Sequence, residues 1–312
     1  MFIEGKTMEE KRILNLNKII YALGIVLSVE LAVMLTTILF DTFVNEEVMP
    51  KSLDKIVKIQ KVIAPLSLPK LQPKTLEDAL IKISPTSCDD VISIDTALVK
   101  PVIYTSTIKL SALSIEAKKK AFIDMMIPSI LVAKYRIVKD RKRVWALLKK
   151  EKLLPKESIW LKKKKYIFKA TSYSDLYNKM EVHPTSIIIA QAIIESGWGT
   201  SRFFEEANNV FGIWSFDESE KRVVASKKRG EKSVYVKKYA SVEQSIFDYF
   251  IVLSTKNAYE EFREKRLESK DPLHLVEYLG KYSELGEAYI ENLKSTIQKN
   301  RLMIYDAYSL DI

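Results

Sequence analysis

The most informative apolar pattern in the chain is the run from Ile187 to Ile194, which is closed by a single carboxylate, Glu195. Pro184 stands just before the run, and proline is favoured at the first position of a helix. Gly197 follows it, and glycine commonly ends helices. The pattern therefore predicts a buried helix of about three turns that is apolar on nearly every side.

The position of Glu195 at the end of this run makes it a candidate general acid. Burial beside apolar side chains disfavours the charged form of a carboxyl group and raises its pKa. A carboxylic acid that stays protonated near neutral pH can donate a proton to a leaving group, as the general acid of glycoside hydrolysis does. The alternative is a glutamate that points into solvent, since helix ends commonly carry charge.

Side chains that suit sugar binding lie close to Glu195 in the sequence. Gln191 is four residues earlier and shares its helix face. Asn209, Phe211 and Trp214 follow after a short segment. Amides can hydrogen-bond the hydroxyl and acetamido groups of sugars, and aromatic faces can stack on sugar rings. The alternative is that the aromatic side chains belong to the core and that Asn209 lies in a turn.

Five pieces of the C-terminal half carry a family resemblance through their order and spacing. They are Glu195-Ser196-Gly197-Trp198-Gly199-Thr200-Ser201-Arg202-Phe203, Asn208-Asn209-Val210-Phe211-Gly212-Ile213-Trp214, Tyr239 to Tyr249, Tyr282 to Ile290, and Asn300-Arg301-Leu302. Together with the segment from Ala117 to Leu148, they resemble the Bax-type glucosaminidases. These belong to the peptidoglycan N-acetylglucosaminidases of glycoside hydrolase family 73. The resemblance covers roughly residues 115 to 312.

The resemblance implies a lysozyme-like, mostly α-helical fold with a small β-hairpin lobe beside the cleft. It also implies hydrolysis of β-1,4 bonds after N-acetylglucosamine in peptidoglycan. Asn209 and Phe211 fall on the family's Asn-x-Phe-Gly motif beside the cleft, and Tyr282 falls on its active-site tyrosine. The predicted site residues are Glu195 as catalytic acid and, for substrate binding, Gln191, Trp198, Asn209, Phe211 and Tyr282.

A second catalytic group is expected on the hairpin lobe, between Phe216 and Tyr239, where many members of the wider family are assigned a carboxylate. Val223-Val224 and Val234-Tyr235-Val236 predict its two strands, with the turn between Lys227 and Glu231. An inverting enzyme places its base about 6.5–9.5 Å from the acid, with room for water. Alternatively, the substrate acetamido group assists and no second carboxylate is required. The acidic candidates are Asp217, Glu218, Glu220 and Glu231.

The 22-residue apolar stretch from Ile19 to Phe40 is long enough to span a bilayer. Basic residues precede it and acidic residues follow it, so the positive-inside rule places residues 1–18 in the cytoplasm and the remainder outside. An uncleaved signal anchor is favoured over a cleaved signal peptide, because the run is long and no clear cleavage site follows it. Glu30 interrupts the stretch; it is either an intramembrane docking site or a tolerated polar residue.

Composition divides the rest of the chain at about residue 114. Residues 41–114 hold six of the ten prolines and predict a semi-extended stalk or a small subdomain, with short strands between Val91 and Ile108. Residues 115–312 predict a helical domain, and the resemblance implies that it is a glucosaminidase domain. Its expected helices are Ile115 to Lys150, in one or two pieces around Pro128, then Tyr173 to Met180, Ser241 to Leu253, Pro272 to Leu279 and Glu287 to Asp306.

The net charge of +10 does not by itself identify a partner. Much of the excess lies in basic runs on helical stretches, such as Lys162 to Lys165, with no recognised nucleic-acid motif beside them, so we expect solvated helix faces and no nucleic acid. One cysteine, Cys88, permits no intrachain disulfide. Two histidines, His183 and His274, make a zinc site improbable. No metal or cofactor is expected.

Three functions fit these observations. The favoured one is a membrane-anchored peptidoglycan hydrolase, single-pass through residues 19–40, that works on the periplasmic or extracellular side of the cytoplasmic membrane. The first alternative is a lytic transglycosylase of the same fold, which would close a 1,6-anhydro ring. The second is a non-catalytic protein that binds cell wall through a degenerate cleft. The sequence does not distinguish endo from exo action.

Overall fold

Helices dominate the computed structural model, which describes residues 75–229 and 232–312. The helices of these residues are α1 Leu76–Ala79, α2 Ile115–Leu148, α3 Pro155–Ile167, α4 Tyr173–Lys179, α5 Thr185–Ser196, α6 Arg202–Ala207, α7 Val242–Thr255, α8 Glu260–Glu268, α9 Pro272–Leu275 and α10 Glu287–Lys299. The strands are β1 Ile81–Ile83, β2 Leu98–Val99, β3 Val102–Tyr104, β4 Trp214–Ser215, β5 Arg222–Arg229, β6 Lys232–Lys237 and β7 Ser309–Leu310. The predicted class, mostly α with small sheets, is confirmed.

The expected membrane segment at 19–40, with Glu30, lies outside the described residues, as do residues 41–74 and Glu231. Within the described part of the chain, none of the helices combines the length and the apolar content that a membrane span requires.

Helix α2 is one continuous helix of 34 residues, although Pro128 lies inside it. Its N-terminus is capped by Ser114, whose hydroxyl accepts a hydrogen bond from the Ala117 amide at 3.3 Å. Proline removes one backbone hydrogen bond and usually divides or kinks a helix. Here the whole stretch from Met125 to Ala133 is buried, so packing on every side stabilises the helix across the proline.

Residues 75–114 pack into the same core as the helices. Val102, Tyr104 and Leu110 are buried within the main hydrophobic cluster. Strand β1 pairs in parallel with β3, and β2 pairs in parallel with β7 near the C-terminus. Residues 75–114, which belong to the segment that was expected to form a stalk or subdomain, therefore share the core of residues 115–312.

Helix α5 matches the predicted buried helix. Ten of its twelve residues are buried, and it ends at Gly197, whose φ of 58° is left-handed. Pro184 occupies the position before the first helical residue and cannot cap it with a side chain. Asp306 supplies the cap from far along the chain, because its carboxylate accepts hydrogen bonds from the amide and hydroxyl of Ser186 at 2.8 and 2.7 Å.

The predicted hairpin forms from β5 and β6, which pair antiparallel. The two-residue strand β4, which the sequence analysis did not predict, adds to the other edge of β6 and gives the order β4-β6-β5. The pairing of Trp214 with Val236 ties the hairpin to the segment that follows α6. The lobe is therefore joined to the helical body at the segment that carries Asn209 and Phe211.

Two predicted helices change character near their ends. The predicted helix from Glu287 to Asp306 ends at Lys299, because Arg301 has a left-handed φ of 51° and a 3₁₀ segment, Leu302–Ala307, follows. The predicted helix from Pro272 becomes a 3₁₀ segment, Val276–Tyr282, after Leu275. Helices α3, α6 and α8 were not among the expected helices.

Gly199 and Gly212 form a matched pair for testing how tightly the turn after α5 is packed. Both have positive φ, 73° and 63°. A Cβ at Gly199 would lie 2.7 Å from Leu110, 2.8 Å from Phe122 and 2.9 Å from Phe204, whereas nothing lies within 4 Å at Gly212.

We predict that Gly199→Ala lowers the free energy of unfolding more than Gly212→Ala does. The left-handed backbone costs both variants about 1–2 kcal/mol, and overpacking adds about 1–3 kcal/mol at Gly199 alone. Urea unfolding of the two variants measures the difference. Equal losses would contradict the packing described for Gly199.

Candidate active site

A cavity with a volume of about 930 Å³ has Glu195 on its wall. Helix α5 contributes Glu195, the segment after α6 contributes Phe211, and β6 contributes Lys237. Helix α7 and the 3₁₀ segment before α10 supply Asp248 and Tyr282. A cavity of this size and mixed lining is typical of a ligand site.

Glu195 lies in the last turn of α5 and is half-buried. Burial raises the pKa of its carboxyl group above the ordinary value, and a hydrogen bond from Tyr289 partly opposes that rise. The Tyr289 hydroxyl donates to Oε1 of Glu195 at 3.0 Å. Glu195 thus has the environment of a proton donor, with one oxygen held by a neutral hydroxyl group.

Tyrosine side chains surround Glu195. Tyr282 stacks on Tyr289 with a centroid distance of 5.6 Å and an interplanar angle of 8°. Tyr249 and Tyr259 lie within 6.4 and 5.9 Å of the Tyr282 ring. Burial raises the pKa of all four phenols, so their hydroxyl groups remain neutral hydrogen-bond donors.

Two of the predicted substrate-binding residues share the cavity with Glu195. Phe211 is almost fully buried and stacks on Tyr249 with a centroid distance of 4.2 Å. Tyr282 is partly buried and also lines the cavity. The structure therefore brings Glu195, Phe211 and Tyr282 together.

Gln191 and Asn209 do not line the cavity. Gln191 has no exposed surface, and its amide is hydrogen-bonded to Tyr249 and Tyr289. Asn209 is 1% exposed, and its Nδ2 donates to the carbonyl groups of Ile213 and Lys237 at 3.0 and 2.9 Å. The structure therefore does not place these two side chains in contact with the cavity, because their polar atoms form hydrogen bonds inside the protein.

Trp198 faces a different cavity, of about 360 Å³, which also contains Lys119 and Tyr305. Its ring packs edge-on against Phe122 at 5.7 Å, and the Lys119 ammonium group lies 4.9 Å from its centroid. Trp198 has a left-handed φ of 59°, which turns the chain away from α5. This turn separates Trp198 from the cavity of Glu195, where it was expected.

Of the three candidate hairpin carboxylates that the structure describes, two reach the cavity. Asp217 and Glu220 line it, whereas Glu218 is exposed and paired with Arg222. Hydrogen bonds from the amide and hydroxyl of Ser219 lower the pKa of Asp217, so it is ionised. Asp217 is consequently the exposed anion on this wall.

Asp248 is a fourth carboxylate on the wall of the cavity and was not among the residues predicted from the sequence. Lys237 lies between it and Glu220, with its ammonium group 3.1 Å from each carboxylate. Tyr239 also donates to Asp248 at 2.7 Å. The signal was the one that identified Glu195, an acid within the otherwise apolar stretch Ile246 to Phe250.

No group of three or more metal-ligating side chains occurs among the residues that the structure describes. The carboxylates at the cavity are instead held by lysine, tyrosine and serine side chains. The arrangement combines a half-buried acid, a tyrosine cage and an ionised carboxylate around one cavity, which suits acid–base chemistry on a neutral sugar.

The part of the chain that forms this cavity is similar to known proteins. Residues 170–302 match the family model described as "Glucosaminidase: Mannosyl-glycoprotein endo-beta-N-acetylglucosaminidase". Protein bax of Escherichia coli (strain K12) is 26% identical over 201 residues, which are 60% of this chain and 71% of that protein. The exo-glucosaminidase LytG of Bacillus subtilis (strain 168) is 58% identical over 38 residues, 12% of this chain and 13% of that protein.

Solved structures that match this chain include the catalytic domain of the autolysin Auto from Listeria monocytogenes. It has a TM-score of 0.35 and 20% identity, and the match covers 54% of this chain and 97% of that domain. A peptidoglycan hydrolase from Sphingomonas sp. A1 matches with a TM-score of 0.33 and 21% identity over 45% of this chain and 92% of that one.

Proposed function

We propose that the chain is a membrane-anchored peptidoglycan hydrolase of the glucosaminidases of glycoside hydrolase family 73, with Glu195 as its general acid. The match of residues 170–302 to the family model and the similarity to Protein bax support this proposal. The bond cleaved is the β-1,4 bond after N-acetylglucosamine. The observation that carries the proposal is the half-buried carboxyl group of Glu195 on the wall of a large cavity, with a raised pKa and one hydrogen bond from Tyr289.

In the proposed reaction, Glu195 gives its proton to the glycosidic oxygen as the bond to the anomeric carbon breaks. Water attacks that carbon from the other face. The aromatic groups Phe211 and Tyr282 shape the space for the sugar ring. A neutral carboxyl group is required for the first step, and burial favours this state.

Asp217 is the hairpin carboxylate best suited to activate the water molecule. It is exposed at the cavity and ionised, whereas Glu220 and Asp248 are both paired with Lys237. In the alternative mechanism, the acetamido group of the substrate attacks the anomeric carbon and Asp217 is dispensable. The lytic transglycosylase and the wall-binding protein are the remaining alternatives for the whole chain.

We predict that Glu195→Gln lowers kcat at least 10²-fold, the lower end of the usual contribution of a general acid. Glu218→Gln is the matched control, because Glu218 is exposed and outside the cavity. Release of reducing ends from purified peptidoglycan measures both. Wild-type activity in Glu195→Gln would contradict the proposal. Anhydro-muropeptides in the wild-type products would favour the transglycosylase, and binding without turnover would favour the wall-binding protein.

The pH dependence follows from the same group. Glu195 must be protonated to act, so kcat falls as the pH rises through the pKa of Glu195. Since burial raises that pKa, we expect this basic limb above the ordinary glutamate value of 4.5. The pH profile of kcat measures the position of this basic limb. If the residual activity of Glu195→Gln shows the same basic limb, the limb belongs to another group.

A further prediction separates the two ways of activating water. If Asp217 is the base, Asp217→Asn loses at least 10²-fold in kcat, and azide restores turnover by replacing the activated water. Glu220→Gln, which removes one partner of Lys237, should lose less. Full activity of Asp217→Asn would instead favour assistance by the acetamido group.

We further propose that residues 19–40 anchor the enzyme in the cytoplasmic membrane, with residues 1–18 inside and the catalytic part outside. The length of the apolar stretch and the charges on its flanks support this orientation.

We predict that the full chain stays with membranes during alkaline carbonate extraction, whereas a chain that lacks residues 1–40 does not. Mass spectrometry of the mature protein decides between anchor and cleaved signal. A mature N-terminus after residue 40 would contradict the anchor.

A further inference from the structure

A chain of buried hydrogen bonds leads to Glu195 from the interior of the protein. Nε2 of His183 lies 3.0 Å from the hydroxyl of Tyr249, which donates to Oε1 of Gln191. Nε2 of Gln191 donates to the hydroxyl of Tyr289 at 3.1 Å. That hydroxyl donates to Oε1 of Glu195 at 3.0 Å. Four side chains, none of which reaches the solvent to any extent, are thus connected in series to the proposed acid.

The donors and acceptors of these side chains give the series of hydrogen bonds one direction. A phenol has a single hydrogen to donate, so Tyr289, which donates to Glu195, accepts from the amide nitrogen of Gln191. The amide oxygen of Gln191 then accepts from Tyr249. Because Tyr249 has used its hydrogen, its oxygen accepts from His183, whose Nε2 must carry the hydrogen. Every link therefore donates toward Glu195.

His183 is held in a neutral state at the far end of the chain. The rings of Tyr249, Phe250 and Phe262 lie within 5.7 Å of its imidazole. Burial, together with the positive charge of Arg266, lowers the pKa of His183 well below its ordinary value. Its Nδ1 has no hydrogen-bond partner among the described residues. A lone pair on Nδ1 avoids burying an unpaired N–H group, which agrees with a hydrogen on Nε2.

We propose that the tautomer of His183 positions the carboxyl group of Glu195 through Tyr249, Gln191 and Tyr289. The proposal rests on the proposed role of Glu195. Oε1 is occupied by the Tyr289 hydroxyl, so Oε2, which has no hydrogen-bond partner in the described residues, is the oxygen that carries the acidic proton. His183 and the three linking side chains are positioning residues, since none of them touches the cleaved bond.

The opposite tautomer would reverse the chain. With the hydrogen on Nδ1, Nε2 of His183 would accept from Tyr249. The amide of Gln191 would turn over to donate to Tyr249, and its oxygen would accept from Tyr289. Tyr289 would then accept a hydrogen bond from a protonated Oε1 of Glu195, so the acidic proton would be held by Tyr289 and would not be available on Oε2.

The other ionisable groups near Glu195 bear on any measurement of its titration. Tyr249, Tyr259, Tyr282 and Tyr289 are neutral over the working range, because burial raises the pKa of each phenol. The charged groups on the remaining walls of the cavity are Asp217, Glu220, Lys237, Asp248 and Lys256. These five charged side chains are unchanged in the variants below. A shift of the pH profile that the variants share therefore reports on the series of hydrogen bonds.

The tautomer is measured directly by ¹⁵N NMR of the full chain with labelled histidine. Only His183 and His274 contribute signals, and His274→Asn assigns them. We expect His183 to remain neutral with the hydrogen on Nε2 across the pH range in which the enzyme works. A hydrogen on Nδ1, or a charged imidazole, would overturn the proposal without any reference to activity.

Kinetics test the consequence for Glu195. Gln191→Met and Tyr249→Phe should each lower kcat about tenfold, a loss of the size expected when one buried hydrogen bond of the series is removed. Both should move the basic limb of the pH profile to higher pH, because Tyr289 is then no longer held as a donor to the Glu195 carboxylate and that hydrogen bond weakens. Tyr104→Phe is the control for removal of a buried hydroxyl elsewhere; that hydroxyl accepts from the Ile92 amide at 3.0 Å.

Thermal melting separates folding from positioning in these variants. Folded Gln191→Met and Tyr249→Phe with a wild-type pH profile would overturn the proposal. If either variant does not fold, the tautomer measurement in the wild type still decides. Activity of Glu195→Gln would refute the proposed function instead, and the direction of the chain would stand or fall on the NMR result alone.

Discussion

The structure depends on the burial of one carboxyl group at the end of an apolar helix. An ionised carboxylate loses hydration when it is placed against apolar groups, and this cost can be avoided by binding a proton. Helix α5 creates that situation for Glu195, because nearly all of the helix is buried before the acid reaches the cavity. The same burial that fixes the helix in the core therefore prepares the acid for proton donation.

Distant parts of the chain cooperate to hold this helix in place. Asp306, from the C-terminal 3₁₀ segment, caps its N-terminus through Ser186. Gly199 allows Leu110 to approach the turn at its other end. Residues 75–114 are therefore part of the support for the site, and they do not act only as a spacer. The position of Glu195 depends on contacts that span almost the whole described chain.

Local patterns predicted the elements of the site better than they predicted its contacts. The apolar run before Glu195 and the alternating strands of the hairpin are signals contained in neighbouring residues. The directions in which the side chains of Gln191 and Trp198 point could not be predicted from neighbouring residues. Gln191 shares a helix face with Glu195 but lies one turn deeper, among tyrosines from α7 and α10. Trp198 is turned away by a left-handed backbone that a sequence pattern does not reveal.

The central claim is that Glu195 is an acid with a raised pKa, and ¹³C NMR titration of the glutamate carboxyl groups tests it most directly. The signal that is present in the wild type and absent in Glu195→Gln belongs to this residue. The account predicts that this signal titrates above the ordinary value of 4.5. Titration at or below 4.5 would contradict it, because a carboxyl group that ionises so readily is not held in the neutral state by its surroundings.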